Sequence, residues 1–443
     1  MNVLAAIDTP KKGRGRPPRE VPPAVDLLLL PGLVPTGVIV GPRTTVAAEA
    51  LTCGIAPVID ATCRVGRIKD RRRVVLRDLP LWANPLDLRV SFVRCACIHG
   101  NIRPALPAPL SRAWRCTLRL GEQMALEVLN APLAKVAERN GLSRRWLRQL
   151  FVQVTAKLRA EYRPHAGKVV GIDEAHIYGR RPAVITNLRR GKVIALLPRN
   201  SEVSVAGLLA NLVGADRVEA VVIDMHHPYR RAIQASLPQA KIVIDRRHVL
   251  ELVRRKLIHL RNAYGARLPM QLSRQTASGA RRERVATLLS RRWARMGHRP
   301  RCQLERIFAV APALRDAYWF KEFFFEMYTC TSRAMAEASY DAWSGALSPA
   351  FAKRFASVLR TVDQWRPYIF NYFDIEGRRT AGFTEASNRR LKEISSEGRG
   401  NTHHRALEIK ALHRLGPITA EQVRAAARWV MTNAKPGGSH VTD

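Results

Sequence analysis

The ten residues 168–177 constrain the fold more than any other part of this sequence. An apolar run at 169–172 is followed at once by two acids, Asp173 and Glu174. A short apolar run bounded by polar residues is typical of a buried strand. A carboxylate at the end of such a strand is costly unless another charge compensates it, and that charge is often a metal ion. The chain is therefore expected to contain a buried strand that ends in an acid and requires a partner for it.

The residues that follow predict a mixed sheet around this strand. Two more strand-like runs, 182–187 and 192–197, are separated by Arg189-Arg190-Gly191, which is a turn signal. Parallel strands require crossover connections, which are usually helices. Such strands are predicted at 217–224 and 241–245, with helices at 203–212 and 229–237. The pattern predicts an α/β fold in which a three-stranded meander continues into parallel strands.

The charge of the chain indicates a nucleic-acid partner. Its 443 residues contain 74 lysines and arginines against 36 acids, a formal net charge of +38. Such an excess, spread along the whole chain, is the electrostatic pattern of a DNA-binding or RNA-binding protein. A merely soluble basic protein, or one that binds acidic membranes, is the alternative.

Cysteine usage and hydropathy favour the cytoplasm. The seven cysteines are irregularly spaced and do not form a disulfide framework. Residues 1–10 lack the apolar core of a signal peptide, and Leu27–Leu30 is too short to supply one. No apolar run has the length of a membrane span.

Residues 1–25 are rich in proline, glycine and arginine and are expected to be a disordered basic tail. Its centre, Gly13-Arg14-Gly15-Arg16-Pro17, resembles an AT-hook, in which Arg14 and Arg16 would enter a narrow minor groove. A solvated basic tail without groove preference is the alternative.

Residues 26–115 are predicted to form a small β-rich module. Segments 71–80 and 86–92 have the pattern of antiparallel strands. Four cysteines occur here: Cys53, Cys63, Cys95 and Cys97. A zinc ribbon needs paired Cys-x-x-Cys ligands, which this spacing does not provide. The module is therefore interpreted as degenerate and zinc-ribbon-like, and ordinary buried thiols are the alternative to zinc ligands.

Residues 116–165 have a helix-turn-helix pattern. A helix at 131–140 begins near Pro132 and ends at Gly141, and Ser143 can cap a second helix at 144–151. Arg144, Arg145 and Arg148 then face outward from the start of the second helix, where a recognition helix contacts the major groove. An ordinary helical hairpin with a solvated basic face is the alternative.

Two strands, ending in Asp173 and Asp224, carry the predicted chemistry. If they lie side by side and parallel, both carboxylates emerge at one sheet edge, where α/β proteins place ligands. Because adjacent carboxylates repel, their proximity indicates a divalent ion, and their hard oxygen ligands favour Mg²⁺ or Mn²⁺. A softer metal is the less favoured alternative, since His176, His226 and His227 lie close in sequence. Two such ions can activate an attacking oxygen and stabilise a leaving one in phosphoryl transfer.

A third acid is needed to complete this site, and Glu385 is the best candidate. It lies near the start of a predicted helix whose next residues include Asn388, Arg389 and Lys392, side chains suited to phosphates. By spacing alone, the glutamates that compete for the role are Glu376, Glu393 and Glu397.

The order of four motifs resembles the DDE transposases of bacterial insertion sequences, and among them the ISL-three family. These are Gly171-Ile172-Asp173-Glu174, Val222-Ile223-Asp224-Met225, Ile244-Asp245-Arg246-Arg247-His248-Val249 and Phe383-Thr384-Glu385-Ala386-Ser387-Asn388. The resemblance implies an RNase-H-like core at 166–250 and 380–415, interrupted by an all-helical insertion at 251–379 and followed by a C-terminal helix and tail at 416–443.

Carried over residue by residue, the resemblance assigns roles to five side chains. Asp173, Asp224 and Glu385 match the catalytic, metal-binding triad. Asp245 and His248 match an auxiliary Asp-x-x-His motif, expected to position the active site. A capping aspartate and a packed histidine are the alternative for these two.

The resemblance implies a Mg²⁺-dependent or Mn²⁺-dependent enzyme with two ions. It would bind the terminal inverted repeats of double-stranded element DNA, cleave the ends and join them to target DNA. We expect a homodimer or larger assembly on DNA, without a membrane, in the bacterial cytoplasm and nucleoid. The alternatives are a catalytically silent DNA-binding protein derived from a transposase and a structure-selective nuclease of the same fold.

Overall fold

The structure, a computed structural model, describes ten stretches of the chain. They are residues 33–39, 44–50, 65–81, 84–97, 102–104, 109–177, 179–264, 285–375, 382–397 and 404–436. The chain divides into two compact units, residues 1–162 with 394–443 and residues 163–393. We refer to them as unit 1 and unit 2.

A seven-stranded sheet begins unit 1. Its strands are β1 (Leu33–Ile39), β2 (Thr44–Ala50), β3 (Val65–Leu81), β4 (Asn84–Cys97), β5 (Ile102–Pro104), β6 (Leu110–Ser111) and β7 (Cys116–Thr117). Their order is β1-β2-β4-β3-β7-β6, and β5 pairs with β4. The predicted segments 71–80 and 86–92 lie within the antiparallel pair β3 and β4. Alternate residues of β4, Leu86, Leu88 and Val90, are buried in a small core, as period-two patterning requires.

Three helices follow the sheet: α1 (Leu118–Asn130), α2 (Leu133–Arg139) and α3 (Arg144–Glu161). The turn between α2 and α3 contains Gly141 with a φ of 58°, a conformation that glycine adopts without strain. The side chain of Ser143 caps α3 by accepting a hydrogen bond from the Trp146 amide. Helix α3, the second helix of the predicted helix-turn-helix, is ten residues longer than predicted because Val154 and Leu158 continue its buried face beyond Phe151.

Unit 2 is built on a five-stranded sheet. Its strands are β8 (Val169–Glu174), β9 (Ala183–Asn187), β10 (Lys192–Leu197), β11 (Ala220–Ile223) and β12 (Lys241–Ile244). Their order is β10-β9-β8-β11-β12. The first three strands form an antiparallel meander, whereas β11 runs parallel to both β8 and β12. This is the mixed sheet that the sequence predicts, and it brings the two acid-bearing strands side by side.

Helices connect and cover these strands. The first three are α4 (Glu202–Ala210), α5 (His227–Ser236) and α6 (Arg246–Tyr264). Within 285–375 all described regular structure is helical. It comprises α7 (Val285–Ser290), α8 (His298–Val310), α9 (Pro312–Met327), α10 (Arg333–Gly345), α11 (Pro349–Phe370) and short 3₁₀ turns. One large apolar cluster joins the sheet to these helices, so the helical segment shares its core with the strands.

Three helices complete the chain: α12 (Gly382–Glu397), α13 (His404–Arg414) and α14 (Ala420–Asn433). The last two pack in unit 1 with α1 and α3. Ser111 donates a hydrogen bond to the Met431 carbonyl at 2.8 Å, and Trp114 donates one to the Ala434 carbonyl at 2.9 Å. The boundary between unit 2 and the last part of unit 1 therefore lies at 393/394, within α12, whereas the sequence prediction placed that boundary at 415/416.

Among the described helices, none combines the length and the apolar character that crossing a bilayer requires.

Candidate metal centre

Three aspartates lie at one edge of the unit 2 sheet. Asp173 is near the end of β8, Asp224 directly follows β11, and Asp245 directly follows β12. Because these three neighbouring strands are parallel, their carboxyl ends meet at the same edge. The local sequence explains the placement, since each strand is an apolar run that stops at its first or second acid.

Helix α12 packs closely against this edge of the sheet at Gly171. The hydroxyls of Thr186, on β9, and Thr384, in the first turn of α12, are hydrogen bonded at 2.8 Å. A Cβ at Gly171 would lie 2.6 Å from the Thr186 hydroxyl and 2.8 Å from the Thr384 hydroxyl. Only glycine leaves room for this contact, and Glu385 is the next residue along the helix.

Asn388, one turn further along α12, orients Asp173. Its side-chain amide donates to Asp173 Oδ2 at 2.9 Å and to the Glu174 carbonyl at 3.2 Å. The other oxygen, Asp173 Oδ1, accepts a hydrogen bond from the Glu174 amide at 2.8 Å. The Glu174 carboxylate is directed elsewhere, toward the side-chain amide of Asn200 at 2.5 Å and toward Arg181. Both oxygens of Asp173 therefore have fixed directions.

Burial raises the pKa of both Asp173 and Asp224. The charges of Asp245 and Glu174 raise the pKa of Asp173 further, while the Glu174 amide and His248 oppose the shift. For Asp224, burial again dominates, Asp173 and Glu174 add to it, and His248 and His226 oppose it. The effect of Asp173 on the pKa of Asp224 shows that the two carboxyl groups are electrostatic neighbours. A bound cation would favour the ionised form of both groups.

Three further side chains complete the cluster. One ligand atom from each of Asp245, His248 and Glu385 lies within 4.8 Å of the others. Asp245 begins α6: its Oδ1 accepts a hydrogen bond from the Arg247 amide at 3.2 Å, and its carbonyl accepts one from the His248 amide at 2.9 Å. The guanidinium of Arg247 forms an ion pair with Glu385.

The carboxylates fit a divalent cation. Asp224 Oδ1, Asp245 Oδ2 and Glu385 Oε1 are buried, and none has a hydrogen-bond partner among the described residues. Buried polar atoms without partners are unusual and costly in folded proteins. Several carboxylate oxygens with one imidazole form a donor set suited to Mg²⁺ or Mn²⁺. We refer to these five side chains, Asp173, Asp224, Asp245, His248 and Glu385, as the acidic cluster.

The structure separates the remaining predicted residues by position. Arg389 and Lys392 are exposed on α12, and Arg144, Arg145 and Arg148 are exposed at the start of α3 in unit 1. Of the competing glutamates, Glu393 is exposed and Glu397 pairs with Arg414, while Glu376 lies outside the described residues. Arg14, Arg16, Cys53, Cys63 and the side chains of Cys95 and Cys97 also lie outside what the structure describes.

A basic cleft in unit 2, which no sequence motif predicts, reaches the acidic cluster. The cleft has a volume of about 910 Å³ and includes Asp245 and Gly382 in its wall. Its cationic lining consists of six arginines and one lysine: Arg246, Arg247, Arg254, Arg291, Arg292, Arg295 and Lys321. The arginine pairs at 246–247 and 291–292 are visible in the sequence, but their convergence depends on the packing of α6 against α9 and against α7, which ends just before Arg291.

Comparison with known proteins identifies the family. A family model described as a transposase, of the ISL-three group of DDE enzymes, matches residues 170–411, more than half of the chain and all of the acidic cluster. The transposase for insertion sequence element IS1001 from Bordetella parapertussis is 32% identical over 206 residues, which cover 45% of this chain and 50% of that protein. The chain thus spans about half the length of the curated relative it matches. By its sequence, the chain belongs to the ISL-three family of DDE transposases, enzymes that act on DNA.

Proposed function

We propose that this protein binds the terminal inverted repeats of an insertion sequence and catalyses metal-dependent DNA strand cleavage and strand transfer. Asp173 and Asp224 lie at the ends of neighbouring parallel strands, and Asn388, on the helix of Glu385, binds Asp173; this arrangement supports the proposal. Three acids from distant parts of the sequence would form a ligand set for divalent ions, and two of them have a buried oxygen without a hydrogen-bond partner among the described residues. Cleavage at phosphates is the chemistry that such a set performs in an enzyme acting on DNA.

The proposed catalytic core is an RNase-H-like fold. An antiparallel meander followed by two parallel strands, in the order β10-β9-β8-β11-β12, supports this assignment. The helices from α7 to α11 then correspond to the insertion between the last strand and the glutamate. Their shared core with the sheet supports a rigid connection between the insertion and the acids.

Divalent ions, when bound, would lower the barrier by activating the attacking hydroxyl and by stabilising the leaving oxygen. The chain's own residues prepare this chemistry. Asn388 fixes the direction of Asp173, and the Thr186–Thr384 hydrogen bond holds the turn that carries Glu385. Because Asp173 and Asp224 are largely withdrawn from water, their charges interact strongly with a cation and with a phosphate bound to it.

Two basic surfaces would bind the DNA. The cleft beside the acidic cluster offers guanidinium groups, which suit phosphate oxygens by their planar, forked geometry. In unit 1 the exposed arginines at the start of α3 would contact the major groove of the element ends. Two copies of the chain, one for each end, would act together.

An end-cleavage assay tests the proposal. The labelled duplex DNA that borders the gene is incubated with a target plasmid and Mg²⁺, using the wild-type protein and the variants Asp224→Asn and Asp216→Asn. Asp216 is exposed, so this second variant makes the same chemical change far from the cluster. We expect nicked and joined products from the wild type and Asp216→Asn, and at least a ~10³-fold loss for Asp224→Asn. Equal products from all three proteins would refute the mechanism.

The same assay separates the rival functions. A catalytically silent DNA-binding protein would retain the labelled ends in a gel shift but produce no cleavage in the wild type. A structure-selective nuclease would cut flap or branched duplexes equally well when the terminal repeats are scrambled. Cleavage that depends on the repeats and requires Asp224 fits neither alternative.

A further inference from the structure

We propose that Asp245 and His248 are metal ligands, which together with Glu385 hold the second divalent ion and give it one nitrogen donor. This inference rests on the proposed function and deepens it, because it divides the acidic cluster into two ion positions. Asp173 and Asp224 would form the first position. Asp245, His248 and Glu385 would form the second.

The geometry of the three side chains supports a shared ion. One donor atom from each lies within 4.8 Å of the other two. Two ligands bound to one ion at about 2.1 Å each are at most about 4.2 Å apart. Inward movements of a few tenths of an ångström would therefore complete the coordination. His248 is half-buried on the first turn of α6, where small changes of its side-chain torsions suffice.

The burial and hydrogen bonding of Asp245 favour a role as a metal ligand in addition to its role as a helix cap. This residue is 1% exposed, and only its Oδ1 accepts a capping hydrogen bond, from the Arg247 amide. Its Oδ2 is buried and has no hydrogen-bond partner among the described residues. A capping role uses one oxygen and leaves the cost of burying the other unexplained. A cation bound to Oδ2, together with the capping bond to Oδ1, accounts for both oxygens.

The position of Arg247 is consistent with an ion site at Glu385. Its guanidinium pairs with the carboxylate, so a positive charge is already favoured where the second ion would bind. The side chain of Arg247 is 60% exposed and also lines the basic cleft. It can therefore leave Glu385 for a phosphate without passing through the protein core.

His248 is placed to interact with both halves of the cluster. One of its ring nitrogens lies within 4.8 Å of ligand oxygens of Asp245 and Glu385, and its electrostatic effect on Asp173 and Asp224 places the ring near those carboxylates as well. An imidazole donor suits Mn²⁺ better than Mg²⁺, since Mg²⁺ is bound almost entirely by oxygen. We therefore expect the second position to prefer Mn²⁺.

Pulsed electron paramagnetic resonance of the full-length protein with MnCl₂ tests the inference directly. Bound Mn²⁺ should show a ¹⁴N coupling from the imidazole in the wild type. The coupling should disappear in His248→Gln and in His248→Asp, and the second variant should still bind Mn²⁺ through its new oxygen. His226→Gln is the matched control, because His226 is the other histidine beside Asp224. It should retain the coupling.

The outcomes are distinct. A nitrogen coupling that persists in His248→Gln, or that disappears in His226→Gln, would overturn the assignment. It would also be overturned if the wild-type protein bound Mn²⁺ without a nitrogen coupling, or did not bind Mn²⁺. Failure here is distinguishable from failure of the proposed function, since DNA cleavage that requires Asp224 could still occur without a nitrogen ligand. Thermal unfolding of each variant confirms that the signal is compared between folded proteins.

Discussion

The side-chain amide of Asn388 donates a hydrogen bond to Asp173 Oδ2 at 2.9 Å and so joins two residues that are 215 positions apart. The same amide also reaches the Glu174 carbonyl, so helix α12 is attached to both the side chain and the backbone of β8. The helix that carries Glu385 is therefore positioned by the carboxylate with which Glu385 is proposed to act.

Replacing Asn388 with alanine should impair the enzyme without unfolding it. The change leaves Asp173 Oδ2 without its donor and frees the carboxylate to rotate. We expect a loss of about 10- to 100-fold in cleavage rate or in Mn²⁺ affinity, the usual effect of removing a group that orients a metal ligand. Asn211→Ala, at an exposed helix end with only a local hydrogen bond, is the control. Activity of Asn388→Ala equal to the wild type would contradict the positioning role.

Gly171→Ala should destabilise unit 2 and lower cleavage at the same time. The new methyl group would meet the hydroxyls of Thr186 and Thr384 at 2.6 and 2.8 Å, so α12 must move away from the sheet. We expect a loss of about 1–3 kcal/mol in the free energy of unfolding, measured in urea. Gly207→Ala is the matched control because Gly207 has open space around it and lies on the exposed face of helix α4. It should stabilise by up to about 1 kcal/mol.

The strand framework was predictable because each strand has a local pattern. The apolar runs at 169–172 and 220–223 stop at acids, and helix α4, which connects β10 to β11, lets the second run pair parallel to the first. Glu385 was different. By spacing alone it competes with Glu376, Glu393 and Glu397; its place at the start of a predicted helix favours it, and the family resemblance assigns it the role. The structure separates them by tertiary contacts, since Glu397 pairs with Arg414 whereas Glu385 has a buried oxygen near Asp245.

The contacts that finish the candidate site could not be predicted from the sequence. Asn388 was expected to face phosphates, yet it binds Asp173, because the hydroxyl contact at Gly171 sets the rotation of α12. Arg247 is one of 74 basic residues, and nothing local distinguishes it. Its partner Glu385 comes from a helix more than a hundred residues later. Long-range packing determines both contacts.

The contribution of Asp173 and Asp224 to the stability of the metal-free protein should fall as the pH rises above the ordinary carboxyl range. Burial raises the folded-state pKa of Asp173 and Asp224, so above about pH 3.9 the folded state binds more protons than the unfolded state. Asp224→Asn removes one of these charges. In EDTA at pH 7.5 its Tm should exceed that of the wild type, and the difference should vanish below about pH 4.

The same experiment has an internal check. Added Mg²⁺ should raise the Tm of the wild type more than that of Asp224→Asn, since the ion binds only the folded state and loses a ligand in the variant. Asp216→Asn, an exposed change of the same kind, should behave as the wild type at every pH. A metal-free Asp224→Asn protein less stable than the wild type at pH 7.5 would show that the carboxylate is not under electrostatic strain.

Arg144 and Arg148 should contribute to DNA affinity through phosphate and base contacts of α3. In a double alanine variant we expect weaker binding of the element ends and a decrease of about 1.8 in the slope of log K against log salt, about 0.9 for each contact. The charge-matched control replaces Lys353 and Arg360, which are exposed on α11. Equal losses in both double variants would show that net charge, and not the predicted recognition helix, determines binding.

Arg247→Ala should raise the affinity of the protein for Mn²⁺ and lower its affinity for DNA. Without the guanidinium, Glu385 is available to a cation, and Mn²⁺ affinity should rise by roughly two- to fivefold, the worth of a partly exposed ion pair. DNA affinity should fall, with a decrease of about 0.9 in the salt slope, since one cation of the cleft is lost.

Arg254→Ala separates these two effects. Arg254 lines the same cleft but pairs with Glu251, so its loss should weaken DNA binding and leave Mn²⁺ affinity unchanged. Both constants can be measured on the same samples, Mn²⁺ by electron paramagnetic resonance and DNA by fluorescence anisotropy over a range of salt. If Arg247→Ala weakens Mn²⁺ binding, its guanidinium does not compete with the ion, and Glu385 needs the ion pair to hold its position. If it alters neither constant, Arg247 has no part in the exchange between metal and phosphate.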